Sequence, residues 1–128
     1  RDGTLMSTSQ ELKDNPMGIC LISKTEAAVC LYHSRKIAIL SFKSTDDVKL
    51  VKTLDISKGF RLCNSVAKVN SSNKLVVSGW KYHGWMMFWG VASITDGSVD
   101  STHNTCIGYR NHLAIKDNTV YISCETND

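Results

Sequence analysis

Three short, largely apolar triplets, Ile19-Cys20-Leu21, Val66-Ala67-Lys68 and Leu113-Ala114-Ile115, follow one another at intervals of 47 residues. Each leads through a polar turn into a second apolar run: Ala28-Val29-Cys30-Leu31, Leu75-Val76-Val77-Ser78 and Val120-Tyr121-Ile122-Ser123. The second runs recur at 47 and then 45 residues, because the turn Asp117-Asn118 is two residues shorter than Asn70-Ser71-Ser72-Asn73. Short β-branched runs bounded by Ser, Asn and Asp clusters read as strands. A period of roughly 40–50 residues with four strands per unit is the mark of a β-propeller blade. Closed propellers use about 4–8 blades, so a chain of 128 residues holds only an arc of one. The expected fold is all-β, a partial β-propeller of about two and a half four-stranded blades. Residues 1–15 would end a preceding blade, 16–57 and 58–104 would be blades, and 105–128 an incomplete one. A complete small β-sandwich is the other architecture that such strand spacing allows.

Within the first unit, Gly18 to Ile22 is expected to be the innermost strand and Ala27 to Leu31 the second. Lys36 to Phe42 follows, and then Val48 to Leu54, where apolar and basic residues alternate as on a half-exposed outer strand. The second unit repeats the order with Ser65 to Val69, Lys74 to Ser78, Phe88 to Ile94 and Ser98 to Thr102. The third stops after its second strand. The centre of each inner triplet is small (Cys20, Ala67, Ala114), as it must be where inner strands converge on an axis. Two such arc ends are raw sheet edges, which invite pairing with other strands.

Apolar and charged fractions of 42% and 21% are those of an ordinary globular chain. The longest apolar run, Trp85 to Ala92, falls far short of the roughly 20 residues that span a bilayer, so no membrane partner is expected. The cysteines (Cys20, Cys30, Cys63, Cys106, Cys124) are odd in number and form no CxxC pair or zinc-ligand spacing. Free, buried thiols in a reducing, cytoplasmic compartment are therefore expected, and no cofactor.

Pro16-Met17-Gly18-Ile19-Cys20-Leu21, followed by Val29-Cys30-Leu31-Tyr32-His33-Ser34-Arg35-Lys36-Ile37, resembles the NHL-repeat pattern. That pattern is Pro-x-Gly-Ile-Ala-Val, a strand, a turn containing His-Arg, and a third strand. Lys49 to Asp55 and Asn73 to Gly79 are similar to the NHL-like propellers of invertebrate tripartite-motif (TRIM) proteins. The second unit departs from it, with Trp80-Lys81-Tyr82-His83-Gly84-Trp85 in place of the His-Arg turn. The resemblance implies a six-bladed ring completed by further blades of a longer chain. It also implies upstream RING, B-box and coiled-coil modules with ubiquitin-ligase activity, and a propeller that binds protein or RNA.

In a propeller, the turns between second and third strands share one face with the links between blades. Sorted that way, Arg35, Lys58, Arg61, Lys81 and Arg110, with His33 and His83, fall on one face against Asp14, Glu125 and Asp128. The opposite turns hold Lys24, Lys43 and Lys116 against Glu26, Asp46, Asp47, Asp96 and Asp117. A basic face beside aromatic residues suits an acidic protein or single-stranded RNA. The candidate binding residues are Tyr32, His33, Arg35, Arg61, Trp80, Lys81, Tyr82, His83, Trp85 and Arg110, with Trp80, Tyr82 and Trp85 in a turn flanked by Gly79 and Gly84. A solvated mixed surface is the plain alternative. No catalytic or metal constellation is present, and the segment is not read as an enzyme. The rival function is a fragment of a calcium-dependent six-bladed hydrolase, whose ligands would enter the inner strands; Met17, Asn64 and Asn111 stand there, a poor set for a hard cation.

Overall fold

A computed structural model describes residues 12–44, 47–69, 72–83, 86–95, 98–104 and 111–124. Among these, every regular element is a strand. Three antiparallel sheets follow one another along the chain, and none closes on itself. The first is a four-stranded meander of β1 (Pro16–Leu21), β2 (Glu26–Leu31), β3 (Lys36–Ser44) and β4 (Asp47–Asp55). The second repeats it with β5 (Leu62–Lys68), β6 (Lys74–His83), β7 (Met86–Thr95) and β8 (Ser98–Asn104). The third is the hairpin β9 (Asn111–Lys116) and β10 (Thr119–Cys124). No helix among the described residues is long and apolar enough to cross a membrane.

The all-apolar run of β2 follows from its place. Ala27 to Leu31 are all buried, because the strand is central and covered on both faces. Ala28 and Cys30 point into a core shared with Cys63, Val66, Leu75 and Val77 of the second sheet. Val29 and Leu31 point the other way, into a smaller cluster with Ala38, Leu12 and Leu40. The β4–β5 link closes the end of the shared core. Gly59 and Phe60 donate their amides to the Ile56 carbonyl at 3.0 and 3.1 Å, and this turn drives Ile56 and Phe60 into full burial. Burying each contributes about 1.5–3 kcal/mol.

The sheets approach one another through their first strands. β1 lies against β5, and β5 against β9. At the first of these contacts the backbones nearly touch: a Cβ on Gly18 would stand 2.9 Å from Ser65 Cα and 3.0 Å from the Asn64 carbonyl oxygen. Lys68 ties the same pair of strands together, donating from Nζ to the Ile22 carbonyl at 2.8 Å. Inner strands can sit this close only where one of them has no side chain.

The second hairpin differs from its expected form. Gly79, Trp80 and Tyr82 do not form a turn: β6 runs through them to His83 and pairs with β7 from Lys74↔Thr95 to His83↔Met86. β5 begins only opposite Trp80, and β8 ends opposite Gly90. The ladder from Lys81↔Phe88 to His83↔Met86 therefore stands beyond the sheet as a two-stranded extension. Gly79 is required for space: a Cβ there would run into the Leu62 carbonyl and meet Phe60 Cδ1 at 3.0 Å.

Both glycines are thus close-approach positions, with different expected costs. Gly18→Ala should lower stability by about 1–3 kcal/mol, the usual range for overpacking. Gly79→Ala should cost more, since its clash is with backbone inside a ladder. Urea unfolding midpoints of the two variants check the order, and wild-type stability in either would contradict it.

Candidate functional site

The turn joining β2 to β3 carries Tyr32, His33, Ser34 and Arg35. Asp14 organises it from the preceding segment, accepting amide hydrogens from Ser34 at 2.7 Å and His33 at 3.4 Å, besides that of Asn15 at 2.6 Å. The Tyr32 amide donates to the Asn15 carbonyl at 3.0 Å. Partial burial pushes the Asp14 carboxyl up, but the Ser34 hydroxyl and the three amides outweigh it and hold the group below its ordinary range. The Tyr32 and His33 rings meet edge to face at 4.9 Å.

Arg35 closes the turn at φ 57°. An L side chain in that left-handed region costs roughly 1–2 kcal/mol relative to the right-handed one. Its carbonyl accepts from the Ile56 amide at 3.0 Å, so the turn is fixed to the link between sheets. Asp55 sits beside it. The Ser57 hydroxyl and amide hold that carboxyl low, with Lys36 and Arg35 adding to the effect.

Two further bonds bring distant candidates to this end. The Cys63 amide donates to the Tyr32 carbonyl at 3.4 Å, and the Arg61 amide to the Trp80 carbonyl at 2.7 Å. Tyr32, His33, Arg35, Arg61, Trp80 and Lys81 consequently share one end of the first two sheets. Trp80 and Lys81 are half-buried, and burial lowers the Lys81 ammonium's affinity for its proton. Tyr82 and His83 are placed by backbone alone, on the hairpin extension. Trp85 and Arg110 lie outside the described residues. The charge reading counts Asp14, Glu125 and Asp128 on this end, of which the last two lie outside the described residues; Asp55, near Arg35, is a further carboxylate that turn sorting missed because it is the last residue of a strand.

Where the first strands of the three sheets meet, the triplets that recur at 47 residues line a single open cleft of about 460 Å³. Ile22 and Ser23 extend its wall beyond the first triplet, and Lys68 is the charged residue in the lining. Among the described residues no three His, Cys, Asp or Glu side chains are grouped as metal ligands. Cys20 faces this cleft half-buried; burial raises its thiol against the opposing pull of the Ala28 amide and Lys68. Cys30 and Cys63 are free thiols in contact across the core, and burial holds the Cys30 proton firmly in place. No protein-family model, no curated protein and no solved structure matches this chain.

Arg35→Gly should relieve the left-handed strain and stabilise the fold by up to about 1 kcal/mol. A higher melting temperature checks this, and an unchanged or lower one contradicts it. Asp14 should titrate below the ordinary aspartate value near 3.9. Since its folded pKa is depressed, its stabilisation is present above that value and fades as pH falls through the folded one. Asp14→Asn should therefore flatten stability against pH in the acid limb while leaving the neutral fold intact.

Proposed function

We propose that this chain is an arc of an NHL-like β-propeller, of the kind borne by tripartite-motif proteins, acting as a docking platform for a protein partner. The convergence of the three triplets on one cleft, each on the first strand of its sheet, supports the propeller reading. A six-bladed ring would be completed by further blades, and the ligase activity that the TRIM resemblance implies would reside in modules outside these residues. A cytoplasmic location goes with that reading.

One observation carries the docking surface. Backbone bonds tie the segments of Tyr32, Arg35, Arg61 and Trp80 together at one end of the first two sheets, which supports reading Tyr32, Arg35, Arg61, Trp80 and Lys81 as the docking residues. Aromatic residues beside Arg are the usual anchors of protein interfaces. Asp14 and Asp55 stand in the same patch, and carboxylates beside the cations favour a mixed-charge protein surface over an RNA backbone. The inner cleft, walled by apolar residues with one ammonium, supports a scaffold role better than a calcium site, which needs charged oxygens.

Arg61→Glu with Lys81→Glu should abolish capture of the partner by the full-length protein, while its far-ultraviolet circular dichroism remains that of the folded protein. Capture should survive ribonuclease treatment. Retained binding in the double variant, or capture that disappears with ribonuclease, would overturn the reading.

A further inference from the structure

The core between the first two sheets is sealed at one end and open at the other. Beside the β2–β3 turn, Ile56 and Phe60 fill the gap. At the opposite end, where β1 turns into β2 and β5 into β6, a cavity of about 220 Å³ enters between the sheets. Ile39 and Leu75 of the shared core form its floor, with the half-buried Ile22 and Leu54 beside them. Lys52, Lys68, Glu26 and Asn73 supply the polar part of the wall. All are residues of the first two sheets or of the turns within them, so the site does not depend on strands beyond either sheet.

Lys68 is fixed in this wall: its Nζ donates to the Ile22 carbonyl at 2.8 Å. An ammonium has three hydrogens to donate. Among the described residues neither Lys68 nor Lys52 is paired with a carboxylate; the ion pair is that of Lys49 with Asp47. A half-buried cation anchored by one neutral carbonyl, beside an apolar hollow, suits an anion with an apolar body. Glu26 limits the charge of that anion. Two ammonium groups against one carboxylate balance a single negative charge, and a dianion such as phosphate would be repelled by Glu26. Size limits it too. An apolar cavity of about 150 Å³ holds benzene, whereas drug-sized ligands need roughly 300 Å³ or more. The hollow therefore has room for one ring, or a branched chain of that bulk, and its carboxylate.

We propose that this cavity binds a monocarboxylate with a compact apolar body. The carboxylate takes hydrogens from Lys68 and Lys52, and the body rests on Ile39 and Leu75. A free acid and the C-terminal residue of a peptide present the same chemistry. The site lies at the other end of the sheets from Arg35, Arg61 and Trp80 and shares no residue with that surface, so either can fail without the other.

Phenylacetate titrated into the full chain, followed through the methyl resonances of Ile22, Ile39, Leu54 and Leu75, tests this. Saturable shifts, largest at these methyls, are expected. Phenylacetamide, the uncharged analogue, should bind more weakly by about tenfold or more. Lys52→Glu changes an exposed side chain and should weaken phenylacetate binding by a similar factor in a protein that stays folded; Lys68→Gln should weaken it as well. Lys49→Gln, on the same strand but outside the cavity wall, should leave binding unchanged. A peptide ending in Phe that binds more tightly than phenylacetate, and loses this on amidation of its carboxylate, assigns the occupant to a protein C-terminus. Phenylacetate binding with that peptide excluded assigns it to a free acid. No saturable shift at these methyls with millimolar phenylacetate overturns the proposal. So does equal binding of the amide, or an affinity unchanged in both Lys52→Glu and Lys68→Gln.

Discussion

The near-contact of two backbones, Gly18 on β1 and Ser65 on β5, is the constraint on which the arrangement of the sheets depends. Side chains set sheet separation where faces pack, at about 10 Å. At the inner edge that separation collapses, and a single missing Cβ lets the first strands lie almost against each other. Beside that contact, Ala28, Cys30, Ile37 and Ile39 of the first sheet share a core with Val66, Leu75 and Val77 of the second.

The patch proposed for docking inherits its rigidity from this core. The link from Ile56 to Arg61 packs two side chains under the sheets and, at its two ends, holds the Arg35 and Trp80 carbonyls. Strain accepted at Arg35 is affordable because the surrounding bonds over-determine the turn, a pattern common at functional positions. The hairpin extension beyond Trp80 and Trp89 has no counterpart in the first sheet, where Leu31 pairs directly with Lys36 at the turn. One end of the molecule is thus elaborated on a repeated scaffold.

Much of the scaffold was legible in the residues because burial on both faces leaves unmistakable runs: Ala27 to Leu31 and Leu75 to Ser78 are strands in the sequence and in the structure. Asp117-Asn118 announced its turn through two residues that tolerate the left-handed region. The misreading lay at Gly79, which looks like the start of a turn because glycine usually punctuates chains. Here its role is to let β6 pass Leu62 and Phe60, a contact formed by residues about 20 positions away and invisible to local pattern. Of the candidate site, sorting by turns found the cations but not Asp55, which comes beside Lys36, next to Arg35, only when β4 returns along β3. The signal was present in the Asp55-Ile56-Ser57 spacing of an Asx turn, in which the Ser57 amide reaches back to Asp55 at 2.8 Å.

The most direct test of the account is the nuclear Overhauser spectrum of the isotopically labelled chain, read at Gly18. A strong cross-peak between the Gly18 and Ser65 α-protons is expected, together with contacts from Cys20 to the β5 triplet, as the repeat predicts. Absence of the Gly18–Ser65 cross-peak in a spectrum that shows the β1–β2 ladder intact would contradict it, since the sheets would then fold without meeting at their inner strands.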